Sequence, residues 1–198
     1  MLLGYYHVGI IEAGCDEAGR GCLAGPVVAA AVILPADYVN VSLNDSKLLT
    51  AELREILKDE IHAAAIDYGI GVVDNEEIDK INILQASFKA MHLAIDQLKK
   101  KPKLILVDGN RFNPYPGIES VCIIKGDGLY SAIASASILA KTYRDDLMRR
   151  YAEEFPHYHW HTNVGYPTLQ HREAIREYGM SRLHRKTFRL LPEQLEIF

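Results

Sequence analysis

The spacing of apolar positions along this chain changes several times, and each change marks an element. Residues 7–14 (HVGIIEAG) and 26–34 (PVVAAAVIL) are short runs that favour β structure, as expected of adjacent buried strands, with a glycine-rich turn between them. Residues 50–65 switch to helical spacing: Thr50 stands at the cap, and Leu53, Ile56, Leu57 and Ile61 recur at helical intervals. The pattern returns to a strand at 66–73, and 82–101 is a second amphipathic helix stopped by Pro102. Residues 103–110 form a clean apolar strand ending in Asp108-Gly109, and 117–128 a further strand ending in Gly126-Asp127-Gly128. A long helix over 129–155 carries Leu129, Ile133, Ala136, Ala140, Tyr143 and Leu147 on one face, and its serines and alanines allow close packing on a sheet. The order β-β-α-β-α-β-β-α, with helices after it, predicts an α/β fold built on a mixed sheet flanked by helices.

Composition narrows the class. A chain of 198 residues, 48% hydrophobic and 24% charged, suits one globular domain with a sizeable core. The N-terminal stretch has no basic start and reaches acids quickly, which argues against a secretory signal or a membrane span. Three cysteines, Cys15, Cys22 and Cys122, form no C-x-x-C pair, so a reduced, cytoplasmic protein is expected, with Cys15 and Cys22 acting as small hydrophobes. The net charge of −4 is unevenly spread: residues 1–140 hold 12 Lys/Arg against 18 Asp/Glu, whereas 141–198 hold 10 against 8. Segment 181–189 (SRLHRKTFR) has four basic residues and no acid. An acidic site beside a basic wall suits a metal-assisted enzyme acting on phosphates.

The candidate chemistry lies where strand-like runs meet glycine. Asp16-Glu17, Asp108 and Asp127 each stand at such an end, and sites in open α/β sheets form outside the carboxyl ends of strands. A lone acid there is more often a turn former or a cap; three together, one of them doubled, favour a site. Four carboxylates in one cleft raise one another's pKa and call for divalent cations, and oxygen-only ligation selects Mg²⁺ or Mn²⁺. Two such ions about 4 Å apart activate a water and stabilise the leaving oxygen in phosphodiester cleavage. In Gly19-Arg20-Gly21 the glycines let backbone approach a ligand and Arg20 can reach a phosphate. Neither the P-loop nor the dinucleotide pattern is present.

The motifs DEAGRG (16–21), NDSK (44–47), LVDGN (106–110), KGD (125–127), SASILAKTYRD (135–145) and GYPT (165–168) occur together and in this order. With them the chain resembles bacterial ribonuclease HII. The resemblance implies an RNase H-like fold in a single catalytic domain over 1–198, with a core over 1–155 and a C-terminal helical segment over 156–198 that contacts substrate. It implies hydrolysis of RNA in RNA–DNA hybrids and a cut 5′ of single ribonucleotides embedded in duplex DNA, leaving a 3′-hydroxyl and a 5′-phosphate. By the same match Asp16, Glu17, Asp108 and Asp127 are the metal-binding carboxylates for two Mg²⁺ or Mn²⁺ ions. Asp145 competes with Asp127 for the fourth place, but lies well inside the expected helix. Gly19, Arg20 and Gly21 correspond to the loop that reads the 2′-hydroxyl, the group that separates RNA from DNA at one site. Tyr166 corresponds to the tyrosine whose ring packs on the following deoxyribose, and Lys47 and Lys141 to phosphate contacts. Tyr166 and the early first strand favour type HII over type HIII. Leu48 and Val164 stand where the family more often has lysine.

Two further stretches have weaker readings. Residues 157–161 (HYHWH) are expected as a surface loop rather than a zinc site. Residues 194–198 (QLEIF) resemble the short peptide with which bacterial proteins dock on the replicative sliding clamp, although a last turn covering the core is rated ahead. A monomer is the default. The alternative function is a non-catalytic, metal-containing nucleic-acid-binding module; a phosphomonoesterase fits the basic segment and Tyr166 poorly.

Overall fold

A computed structural model describes residues 2–43 and 49–191. Lys47 and the 194–198 stretch therefore lie outside the described residues.

The apolar run after the glycine-rich turn becomes β2 (Val27–Ile33), buried along its whole length. It pairs antiparallel with β1 (Glu12–Ala18) and with β3 (Asp67–Val73). On its other edge β1 pairs in parallel with β4 (Leu104–Asp108), and β4 in parallel with β5 (Glu119–Ile123). The result is a five-stranded mixed sheet in the order β3-β2-β1-β4-β5. Helix α1 (Ala51–Ala64) starts as expected at Thr50, whose hydroxyl accepts from the Leu53 N–H at 3.2 Å. Helix α2 (Asn75–Asp96) covers one face of the sheet, its Ala86, Ala90 and Ala94 meeting Cys15, Ala29 and Val107. Helix α3 (Ser131–Glu154) lies with α1 on the other face, packing Ala136 and Ala140 against Ala30 and Val32. Gly14 makes this approach possible: a Cβ there would stand 2.2 Å from the Ala132 carbonyl carbon.

Three boundaries differ from the sequence pattern. The first strand begins at Glu12 and runs through Ala18, because its pairing with β2 continues to Ala18↔Val28. Asp16 and Glu17 are thus inside the strand, not in the turn after it. The residues before it peel away: Val8 is 80% exposed, and the Glu12 carboxylate accepts the Tyr6 N–H at 2.8 Å. Helix α2 starts earlier than its apolar pattern, at a cap where Asp74 accepts from the Glu77 N–H at 2.8 Å. The expected start at 82 is real as a kink: Asn82 has φ 66° and its side chain accepts from the N–H groups of Leu84 and Gln85. The strand expected over 117–128 shortens, and its end becomes a single 3₁₀ turn over Gly126–Gly128.

Beyond α3 the chain forms α4 (Trp160–Asn163) and α5 (Leu169–Tyr178) and then returns to the loop after β1. Tyr158, Trp160, Ile175 and Leu183 gather around Leu23 and Ala24 in a core of their own. Leu23 N–H donates to Gly165 O at 2.8 Å, and Gly25 N–H to Leu183 O at 2.9 Å, so this segment clasps the loop. The HYHWH stretch is accordingly not a surface loop. Tyr158 and Trp160 are 2% and 0% exposed, because alternation sends them into this core. Cys15 and Cys22 are buried free thiols, as expected, and Cys122 is exposed. Among the described residues no helix is long and apolar enough to cross a membrane.

Candidate active site

Register builds the acidic site. On the paired strands β1 and β4, Cys15 lies opposite Val107, and the same offset continued by one residue sets Asp16 beside Asp108. Asp16 is 4% exposed. Burial above all, and then the charges of Glu17 and Asp108, push its carboxyl well above the usual carboxylate range. A hydrogen bond with the Ser137 side chain and the Glu17 N–H at 2.7 Å oppose that rise. Glu17 is held by Arg20, whose Nη1 lies 3.1 Å from Glu17 Oε1. Asp108 Oδ1 accepts the Gly126 N–H at 2.7 Å, which ties the end of β4 to the turn carrying the buried Asp127.

Asp16, Glu17 and Asp108 share a cleft of about 370 Å³ with Gly19-Arg20-Gly21, Lys141 and Tyr166. Asp127 is not part of its lining. Among the described residues no three His, Cys, Asp or Glu side chains converge to hold a metal ion as they stand: Glu17 is drawn to Arg20 and Asp108 to Gly126. The donors still fit a hard divalent cation. They are carboxylate oxygens, crowded at a buried position, and their repulsion is relieved by a cation or a proton.

The loop beside the acids is held from behind by two arginines, both 0% exposed. Arg185 donates to Gly25 O at 3.1 Å, Arg20 O at 2.9 Å, Gly19 O at 2.7 Å and Pro26 O at 3.2 Å. Arg144 donates to Pro26 O, Ala24 O and Val164 O at 3.0, 3.1 and 2.8 Å. Backbone carbonyls thus take the place of the carboxylates that usually accompany a buried arginine. Gly19, at φ +99°, is required by this arrangement, since a Cβ would fall 2.1 Å from Arg144 Nε. Gly21 is not: no heavy atom lies within 4 Å of where its Cβ would stand.

Comparisons with known proteins show the family. A family model for ribonuclease HII matches residues 13–191. The ribonuclease HII of Parabacteroides distasonis is 62% identical over 197 residues, covering 100% of this chain and 99% of that one. That of Bacteroides thetaiotaomicron is 60% identical over 191 residues, 96% of each. The chain belongs to the ribonuclease HII family. It is an endoribonuclease of the type II ribonuclease H class. Among solved structures, the RNase HII of a PCNA:RNase HII complex from Archaeoglobus fulgidus superposes with a TM-score of 0.77 at 26% identity, covering 96% of this chain and all of that one. The expected RNase H-like α/β architecture is therefore the observed one.

Within this ribonuclease HII fold the expected residues divide. Asp16, Glu17, Asp108, Gly19, Arg20, Gly21, Lys141 and Tyr166 meet in one cleft, whereas Asp127 is outside its lining, in the turn whose Gly126 N–H donates to Asp108. Asp145, the competitor for the fourth carboxylate, is paired with Lys141 at 2.8 Å across one turn of α3. Lys141 Nζ also lies 5.3 Å from the centre of the Tyr166 ring. The expected basic wall at 181–189 is broken: Arg182 pairs with Glu154 and Arg185 is in the core. Burial holds Arg185 down to about 10, still charged at neutral pH. Three residues escaped the sequence reading: Ser137, Arg144 and Arg185. The "SASILAKTYRD" motif contained the first two, but nothing in their spacing marks them as a carboxylate partner and a loop anchor.

Proposed function

We propose that this ribonuclease cuts the RNA strand of RNA–DNA hybrids, and cuts duplex DNA 5′ of an embedded ribonucleotide, leaving a 3′-hydroxyl and a 5′-phosphate. The observation that carries the reading is the meeting, in one cleft, of crowded carboxylates, a glycine-flanked arginine and an aromatic ring. Asp16, Glu17 and Asp108 would hold Mg²⁺ or Mn²⁺, with Asp127 the favoured fourth ligand since Asp145 is engaged by Lys141. Two such ions, when bound, supply an activated water and stabilisation of the leaving oxygen. The chain's own groups do the rest. Glu17 has to leave Arg20 to join the other carboxylates, which releases the guanidinium toward the sugar-phosphate backbone. The empty space over Gly21 supports close approach of a ribose to the loop backbone, where a 2′-hydroxyl can be sensed. Lys141 keeps donors beyond the one given to Asp145 and can meet a phosphate without reading sequence. Lys47 is proposed for a similar contact. Tyr166, 38% exposed at the cleft, offers its ring to the next sugar, where an added hydroxyl would clash.

A labelled DNA duplex with one internal ribonucleotide tests this directly. With Mg²⁺ or Mn²⁺ a single cut 5′ of the ribonucleotide is expected, and none with EDTA. Degradation of a continuous hybrid with no cut at the single ribonucleotide would remove the roles given to Gly19-Arg20-Gly21 and Tyr166. Binding without cleavage of either substrate would favour the non-catalytic module. We also propose a sliding clamp as partner through Gln194 to Phe198; the Archaeoglobus fulgidus relative solved with PCNA supports this class of partner. Deleting 194–198 is expected to abolish capture on a clamp column while leaving the melting temperature unchanged. A fall in melting temperature with capture intact would assign these residues to the core instead.

A further inference from the structure

The C-terminal segment contains a chain of hydrogen bonds that ends at the cleft. His171 on α5 and His184 on the returning strand of chain are both 0% exposed, and their Nε2 atoms lie 3.2 Å apart. Their tautomers follow from partners that can only donate or only accept. The Ser181 backbone N–H donates to His184 Nδ1 at 2.9 Å, so the proton of His184 is on Nε2 and points at His171. The Trp160 indole N–H donates to His171 Nε2 at 2.9 Å, so that nitrogen is an acceptor. The proton of His171 is therefore on Nδ1, which lies 2.9 Å from the Tyr166 carbonyl oxygen. In this protonation state every contact pairs a donor with an acceptor, the indole N–H and the His184 N–H sharing the one lone pair of His171 Nε2. Burial favours this state, holding His171 below its ordinary value and His184 down to about 4. The carbonyl at the end of this chain belongs to the residue whose ring faces the cleft. The residue is also held at its preceding peptide, where the Tyr166 N–H donates to Asn163 O at 2.8 Å.

We propose that the buried pair His171–His184 positions Tyr166, and that the preference for an RNA-to-DNA junction over continuous RNA depends on the hydrogen bond from His171 Nδ1 to the Tyr166 carbonyl. The pair touches no reacting atom; it acts through Tyr166 and rests on the reading of that ring given above. An imidazole is suited to the task because its two nitrogens face opposite ways. One accepts from the indole N–H and the His184 N–H, and the other donates to the cleft wall. The carbonyl also accepts the Thr168 N–H at 2.8 Å, so losing the histidine bond would loosen the peptide without freeing it.

The test reads the ratio of kcat/KM on a single-ribonucleotide duplex to that on a continuous hybrid, both measured on one preparation. This ratio is independent of the folded fraction, so a destabilised variant still reports. Asparagine places its amide near the position of Nδ1, and glutamine near that of Nε2. His171→Asn is therefore expected to keep the wild-type ratio within about twofold, and His171→Gln to lower it about tenfold, the scale of one hydrogen bond. Tyr166→Ala is expected to lower the ratio at least as far, and Tyr166→Ala/His171→Gln to match Tyr166→Ala alone. A normal ratio in His171→Gln, or a further fall in the double variant, would overturn the positioning role. An unchanged ratio in Tyr166→Ala would instead overturn the reading of Tyr166, and with it the pair's reason to act.

Discussion

Asp16→Asn is expected to abolish cleavage and, at the same time, to stabilise the metal-free protein. Loss of activity should reach at least ~10³-fold, the scale seen when preorganised charge is removed from a reacting centre. The gain in stability follows from the sign of the pKa shift. The folded protein holds Asp16 above its ordinary value of 3.8, so its carboxylate opposes folding once the pH exceeds that value. The penalty grows as the pH rises toward the folded pKa and is then constant. Asparagine carries no charge and keeps one oxygen for the Glu17 N–H and Ser137. Without divalent ions, the variant's melting temperature should match wild type near pH 4 and exceed it at pH 8, at about 2–4 °C per kcal/mol for a chain of this size. Mg²⁺ should raise the wild-type melting temperature more at pH 8 than at pH 5, and have little effect on the variant. A variant that melts below wild type at pH 8 without metal would show that Asp16 serves the fold rather than straining it.

Arg185→Lys is expected to be the costliest conservative change in the molecule. The guanidinium reaches four carbonyls of the loop from Gly19 to Pro26 through three nitrogens set in a plane. An ammonium offers three donors from one point and cannot span them. At about 1–3 kcal/mol for each buried acceptor left unpaired, a loss of about 3 kcal/mol or more follows. That corresponds to a fall of roughly 6–12 °C in melting temperature. The loop it releases carries Arg20 and Gly21, so KM for a ribonucleotide-containing duplex should rise as well. A melting temperature within 2 °C of wild type would mean that water or Arg144 takes over the carbonyls.

Much of the site was legible before the fold was known, for a local reason. A strand or a helix declares itself by the period of its apolar positions, and the acids at 16, 17, 108 and 127 stand out because each interrupts or ends such a run. Thr50 announced its cap in the same way. Where the local signal is weak, the boundary of an element does not show in the sequence. The first turns of α2 bury little beyond Asn75 and Ile78, so the helix was legible only from Asn82, where its own side chain starts the second segment. Residues 7–10 look like strand because they are apolar, yet the sheet offers them no partner and the ladder begins at Glu12.

The sequence by itself determined the order of elements, the α/β class, the acidic positions and the family, since these depend on neighbours in the chain and on motifs of a few residues. Only the tertiary structure decided which of those positions meet. The parallel pairing of β1 with β4 sets Asp16 beside Asp108, where burial first and then the charges of Glu17 and Asp108 raise its pKa. Folding of the last segment onto the loop after β1 turns Arg185 from an apparent surface charge into a buried anchor, and Trp160 from an apparent loop residue into a core one. The reason is that the partners are backbone carbonyls and distant strands. A carbonyl is present at every residue and leaves no mark in composition or period. A basic residue meant for it therefore reads the same as one meant for water until the chain has closed around it.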